Sequence, residues 1–149
     1  MPSITSPAKL AQISQYGAKL TKVSGSRENT AQAVLKSAQS HYYASHSWNP
    51  YFFQGTKTFA YEIWEQLGWN APDQIILPVG NGTLLLGTWI GFNDLFRAGM
   101  IDQVTKLIAV QSANCAPLAL AFQESLDKPI VIKSLPTHAE GIAIAEPIR

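Results

Sequence analysis

The stretch Ile75-Ile76-Leu77-Pro78-Val79-Gly80-Asn81-Gly82-Thr83-Leu84-Leu85-Leu86-Gly87 decides the fold. It reads as a buried strand over 74–79, a glycine-rich turn, and a helix that begins at once. A turn of this kind leaves backbone N–H groups unpaired in front of the positive end of a helix dipole, so Gly80, Asn81, Gly82, Thr83 and Leu84 form a candidate anion site. The rival reading is a β-hairpin, because Asn81-Gly82 between apolar runs is a strong hairpin signal. Two features favour strand, loop and helix. The residues after the turn do not alternate, and Gly87 and Gly91 lie one helical turn apart with Leu86, Ile90 and Leu95 nearby, as for a helix packed closely on a sheet.

Working outward, Ser6 before Pro7 is a capping hydroxyl ahead of a proline at the first helical position, and a helix is expected over 7–16 with Gly17 as its stop. A weak strand is expected over 18–24, then a second helix capped by Ser26 and carrying Ala31, Val34, Leu35 and Ala38 on one face. Tyr42-Tyr43-Ala44 reads as a short aromatic strand. The aromatic run Trp48 to Gly55 reads as a turn lying over a core. It leads into a helix with Phe59, Ala60, Ile63, Trp64 and Leu67 on its apolar stripe and Gly68 at its end. Beyond the organising stretch, 107–110 is another buried strand, a helix starts near Pro117, and 129–132 is one more strand. Strands alternating with helices predict an α/β fold, three-layer αβα with a mostly parallel sheet.

The chain has 149 residues, enough for one domain with a real core. Its residues are 46% hydrophobic and only 14% charged, a composition that points to a surface partly covered by something else. A formal net charge of +1, with the basic residues scattered singly, leaves no footprint for nucleic acid. Neither a spanning apolar run nor a signal peptide at Met1-Pro2-Ser3-Ile4-Thr5 is legible, so a soluble cytoplasmic protein without membrane attachment is expected.

Familiar motifs fail on their residues. A dinucleotide fingerprint needs a third glycine where Leu85 stands, and Asp102, at the distance expected of the ribose-binding acid, falls in a loop. No Lys-Ser or Lys-Thr follows the glycines, which excludes a Walker loop. His41, His46 and His138 do not share a face or a spacing that would hold a metal, so none is expected. Cys115, the single cysteine, reads as a small buried residue, and Glu62 and Glu65 as solvated.

Four stretches together resemble the threonine synthase and threonine dehydratase branch of the pyridoxal-phosphate enzymes with the tryptophan-synthase β-like fold. They are Ser6-Pro7-Ala8-Lys9-Leu10-Ala11-Gln12 through Tyr16-Gly17-Ala18, Asn49-Pro50-Tyr51 through Gly55-Thr56-Lys57-Thr58 and Glu62-Ile63, Pro78 to Gly82, and Ala139 to Ala143. The resemblance implies that the backbone of Gly80, Asn81, Gly82, Thr83 and Leu84 cradles the phosphate of pyridoxal 5'-phosphate, with Thr137 to Gly141 near the cofactor ring. It also implies one partial domain, with 1–45 from the small subdomain and 46–149 from the large cofactor-binding subdomain.

Departures from the family qualify what it implies. Thr83 stands where the family loop usually has another glycine, and Gln54 where glutamate is common. Gln111 stands where some relatives carry a cation-binding acid, so that metal is not expected here. The family's Schiff-base lysine lies in a Ser-x-Lys motif before the region matching Ser6, and none of the eight lysines, Lys57 included, occupies that motif. The residue contacting the pyridine nitrogen follows the region matching Arg149. No catalytic residue is therefore assigned. The expectation is a fragment of a threonine synthase-like lyase, inactive alone, with a homodimer or a complementary chain supplying the missing half. The alternative is a non-catalytic interaction or phosphate-ligand-binding protein that reuses the half-fold.

Overall fold

A computed structural model describes residues 1–3, 5–25 and 27–147. Its contacts divide the chain into two compact units, 1–44 and 45–149.

The first unit holds α1 (Pro7–Gln15) and α2 (Arg27–Ser37). Pro7 opens α1 as expected, but Ser6 contributes its carbonyl to Leu10 N (3.2 Å) rather than a side-chain cap. Gly17 ends the turn after α1 with φ +74°. The expected cap at Ser26 lies outside the described residues. The strand expected over 18–24 is reduced to one parallel bridge between Val23 and Pro2, and 42–44 forms no strand. The first meets only 1–3, through Ser3 N to Val23 O (2.9 Å) and Val23 N to Met1 O (2.8 Å), too few bonds for a ladder, and the second joins no ladder among the described residues.

The second unit contains α3 (Phe52–Thr56), α4 (Thr58–Gln66), β1 (Gln74–Pro78), α5 (Thr83–Arg97), β2 (Lys106–Val110), α6 (Pro117–Gln123) and a 3₁₀ turn at Glu140–Ile142. The strand, loop and helix reading of the organising stretch holds. β1 and β2 are parallel and in register from Gln74 opposite Lys106 to Pro78 opposite Val110, joined through α5 as a crossover. The sheet has two strands among the described residues. The segment 129–132 is not a third, since Ile130 N reaches Pro117 O (3.4 Å) and Ile132 N reaches Ala145 O (3.3 Å), and Val131 is exposed. The aromatic run is not wholly a loop either: α3 occupies its end, with Phe53 buried and Tyr51 and Phe52 exposed.

The core is made by Ala60 and Trp64 of α4 and by Phe92 and Leu95 of α5, with Ile75, Ile101 and Val104 packed against them. Burying side chains of this size contributes about 1.5–3 kcal/mol each for the large apolar ones. Leu67, expected on the stripe, falls just past the helix and is exposed. Gly68 and Trp69 both take positive φ and turn the chain away, with Trp69 N donating to Trp64 O (2.9 Å).

The helical glycines face helices rather than the sheet. A Cβ on Gly91 would meet the Lys57 carbonyl group and lie 2.7 Å from Ala60 Cβ, and one on Gly87 would strike Thr56. Small residues therefore let α5 cross α3 and α4 closely. An ion pair bridges the same crossing: Lys57 Nζ and Tyr61 Oη each donate to Asp94 Oδ2 at 2.8 Å.

Candidate functional site: the turn between β1 and α5

Val79 ends the strand run buried, its N–H bonded to Val110 O (2.9 Å). The chain then leaves the sheet at Gly80 and enters α5 at Thr83. Gly82 carries the change of direction with φ +81°, a left-handed conformation that glycine adopts without steric cost. The residue after it is already helical. Thr83 therefore occupies a position where a Cβ is no backbone burden, and its carbonyl accepts the Thr56 hydroxyl at 3.4 Å. The left-handed position of the turn is thus Gly82 and not Thr83.

The amides of Gly80, Asn81, Gly82, Thr83, Leu84 and Leu85 donate to no protein acceptor among the described residues, and the first amide returned to the turn is Leu86 N, to Gly82 O (2.9 Å). Three of these amides begin a helix of 15 residues, whose opening turn always leaves such donors directed toward its N-terminus. Asn81 adds a side chain whose Oδ1 is buried without a hydrogen-bond partner. Asn81 and Gly82 also form one end of an apolar cleft of about 540 Å³, walled by Phe53, Leu85, Leu86, Trp89, Leu107 and Leu118. The arrangement offers donors to an anion and an apolar wall beside them.

Two further segments hold the turn. Ile142 and Ile144 close on Gly80, where an added Cβ would lie 3.3 Å from Ile142 Cα and 3.2 Å from Ile144 Cγ1. This segment follows Thr137 to Gly141, so the stretch expected near a ring leads into the flank of the turn. Thr137 Oγ1 accepts from Ser112 Oγ (2.9 Å) and from Ala139 N (3.1 Å). Gln111 reaches the other side of the turn: its Nε2 donates to Val79 O (3.1 Å), while Oε1 accepts from Leu118 N (3.0 Å) and Ala119 N (3.1 Å) at the start of α6. In the sequence Gln111 stands out only for the acid it replaces. Its single legible signal was a long neutral amide placed between a strand and Pro117.

Other chemistry-bearing residues lie elsewhere. Lys57 is fixed by Asp94, whose hydrogen bond holds the lysine above its ordinary pKa and hence protonated, the reverse of what a nucleophilic amine needs. Cys115 is fully buried and free. His46 lies against Phe52, with ring centroids 5.5 Å apart, and His41 bonds Ser40 Oγ through Nδ1 (2.9 Å). No group of three potential metal ligands occurs among the described residues, nor is any helix there long and apolar enough to cross a membrane.

Comparison with known proteins gives these features a family. The chain is 36% identical to threonine synthase of Methanocaldococcus jannaschii over 141 residues, which is 94% of this chain and 35% of that protein. It is 36% identical to threonine synthase of Mycobacterium bovis over 139 residues, 92% of this chain and 35% of the relative. The chain thus spans about 35% of the length of these relatives. Among solved structures, threonine deaminase isoform 2 of Solanum lycopersicum superposes with a TM-score of 0.78 at 23% identity, covering 97% of this chain and 40% of that one. Serine racemase of Dictyostelium discoideum does so with a TM-score of 0.74 at 24% identity, covering 99% and 44%. These neighbours place the fold, a partial αβα arrangement of the tryptophan-synthase β-like type. The match to the family of pyridoxal-phosphate dependent enzymes runs over residues 1–149, and the chain belongs to that family.

Proposed function

We propose that this chain is the phosphate-anchoring portion of a threonine synthase-like lyase acting on an amino acid, with Gly80, Asn81, Gly82, Thr83 and Leu84 as the cradle for pyridoxal 5'-phosphate. The observation that carries the reading is the run of partnerless amides from Gly80 to Leu85 at the head of α5, in a chain 36% identical to threonine synthases. The residues fit the group. Free donors match phosphate oxygens, the positive helix end favours the charge, and Gly80 and Gly82 keep side chains out of the turn. Asn81 Oδ1, buried without a partner, is an acceptor available to a ligand donor. When bound, pyridoxal phosphate supplies an electron sink for chemistry at the amino-acid α-carbon.

This chain's own contribution is anchoring and orientation. The amides hold the phosphate, and the fixed exit of β1 sets where the ring would lie. The catalytic lysine comes from outside these residues in this reading, since Lys57 is committed to Asp94 and no lysine lies in the turn. A homodimer or a complementary chain supplies what the cradle lacks. Support comes from apolar residues at the surface, including Ile76 at 67% exposure on the sheet and Trp89 at 49% on α5. A cytoplasmic setting accords with the free buried thiol of Cys115.

Calorimetric titration with pyridoxal phosphate, pyridoxal and inorganic phosphate tests the cradle. Saturable binding of pyridoxal phosphate, with pyridoxal at least about tenfold weaker, is expected from loss of a charge-assisted set of hydrogen bonds. Equal affinity for pyridoxal and its phosphate ester would remove the anion site from the account. Sedimentation at micromolar concentration tests the partner: self-association, or association with a chain carrying the rest of the fold, is expected, and a monomer indifferent to both contradicts it.

A further inference from the structure

We infer that Gln111 is the positioning residue of the cradle: one side chain clasps the exit of β1 to the head of α6 and so fixes the backbone from which Gly80 to Leu85 present their amides. The inference rests on the cradle reading above and adds a residue to it.

The geometry uses both ends of the amide. Nε2 donates to the carbonyl of Val79, the last residue before the turn, and Oε1 receives two α6 amides. Only a group with a donor and an acceptor on one planar head satisfies all three partners. A carboxylate would retain the α6 contacts but set an oxygen against the Val79 carbonyl, and an apolar side chain would leave all three groups without this partner. The neighbours of Gln111 tie the same connector to the opposite flank of the turn. Ser112 Oγ donates to Thr137 Oγ1, and Asn114 Nδ2 donates to Pro136 O at 2.6 Å, while Asn114 O accepts from Leu135 N at 3.0 Å. That strand of chain continues to Ile142 and Ile144, which close on Gly80. The segment after β2 therefore grips the turn from both sides, and Gln111 makes its direct bond to the chain entering it. Val79 is 1% exposed, so a lost bond there is not replaced by water without opening the strand end.

The experiment compares the wild-type chain with Gln111→Met and Gln111→Glu by amide hydrogen exchange in the free protein and by titration with pyridoxal phosphate. Both variants are expected to speed exchange at Val79 N–H about fivefold to tenfold, while Phe92 and Leu95 keep wild-type rates. Gln111→Glu leaves α6 capped, so Leu118 and Ala119 change only in Gln111→Met. Gln111→Met, which adds no charge, is expected to weaken pyridoxal phosphate about fivefold to tenfold. Unchanged Val79 exchange in the variants overturns the clasp. Faster exchange with unaltered cofactor affinity overturns the positioning role and leaves the cradle intact. A wild-type chain that shows the clasp but binds no pyridoxal phosphate overturns the cradle reading and, with it, the role assigned to Gln111. Should Gln111→Met fail to fold, Val79 exchange in Gln111→Glu decides, with Leu118 and Ala119 as the internal control.

Discussion

Gly82 and Gly91 are glycines for different reasons, and their substitutions separate backbone strain from overpacking. An alanine Cβ at Gly82 meets no atom within 4 Å, so Gly82→Ala carries only the left-handed conformation, a loss of about 1–2 kcal/mol. At Gly91 the Cβ collides with α4, and Gly91→Ala is expected to cost about 1–3 kcal/mol through displaced helices. Urea unfolding of both variants checks the pair: Gly82→Ala should leave the near-ultraviolet signature of Trp64 intact, and Gly91→Ala should perturb it. The Lys57 and Asp94 pair gives a pH prediction at the same scale. The hydrogen bond from Lys57 holds the Asp94 carboxyl below its ordinary 3.8, so this contribution is present above that pH and is lost as pH falls through the lower folded value. The bond to Asp94 raises Lys57 above 10.5, so its contribution is present below that pH and is lost as pH rises through the folded value. Thermal melts of Asp94→Asn and wild type should therefore differ most at neutral pH and converge as pH falls through the lowered folded value of Asp94. A constant gap across the range would show that charge is not what the pair supplies. The glycine turn was legible in sequence because its donors and its bend lie within five consecutive residues. Gln111 was not, because its partners stand at Val79, Leu118 and Ala119 and no local pattern joins them.

At the scale of elements, α5 carries both the turn and the core, which is why its periodicity was readable. Phe92 is fully buried between α4 and the sheet-side cluster, and Phe92→Ala is expected to destabilise the second unit by about 3–5 kcal/mol. Chemical denaturation followed by tryptophan fluorescence reads that loss. The strands show the limit of pattern alone. β1 and β2 formed where each found the other, whereas 18–24, 42–44 and 129–132 have comparable β-forming residues but no adjacent strand to complete a ladder. The helical glycines were read as a sheet-facing pair because spacing gives the face of a helix but not its neighbour. The neighbour proved to be α3 and α4.

At the scale of the whole molecule, an apolar and sparsely charged chain belongs to the pyridoxal-phosphate dependent enzymes and spans about 35% of the length of the threonine synthases it matches. Four separated motifs made the family legible, since their order along the chain is more specific than any one of them. The central claim is that the turn from Gly80 to Leu84 holds the cofactor phosphate, and backbone amide shift mapping during titration with pyridoxal phosphate tests it most directly. Saturable shifts concentrated at residues 80–85 are expected, reproduced more weakly by inorganic phosphate and absent with pyridoxal. Saturable binding whose shifts lie elsewhere, with residues 80–85 unmoved, would contradict it.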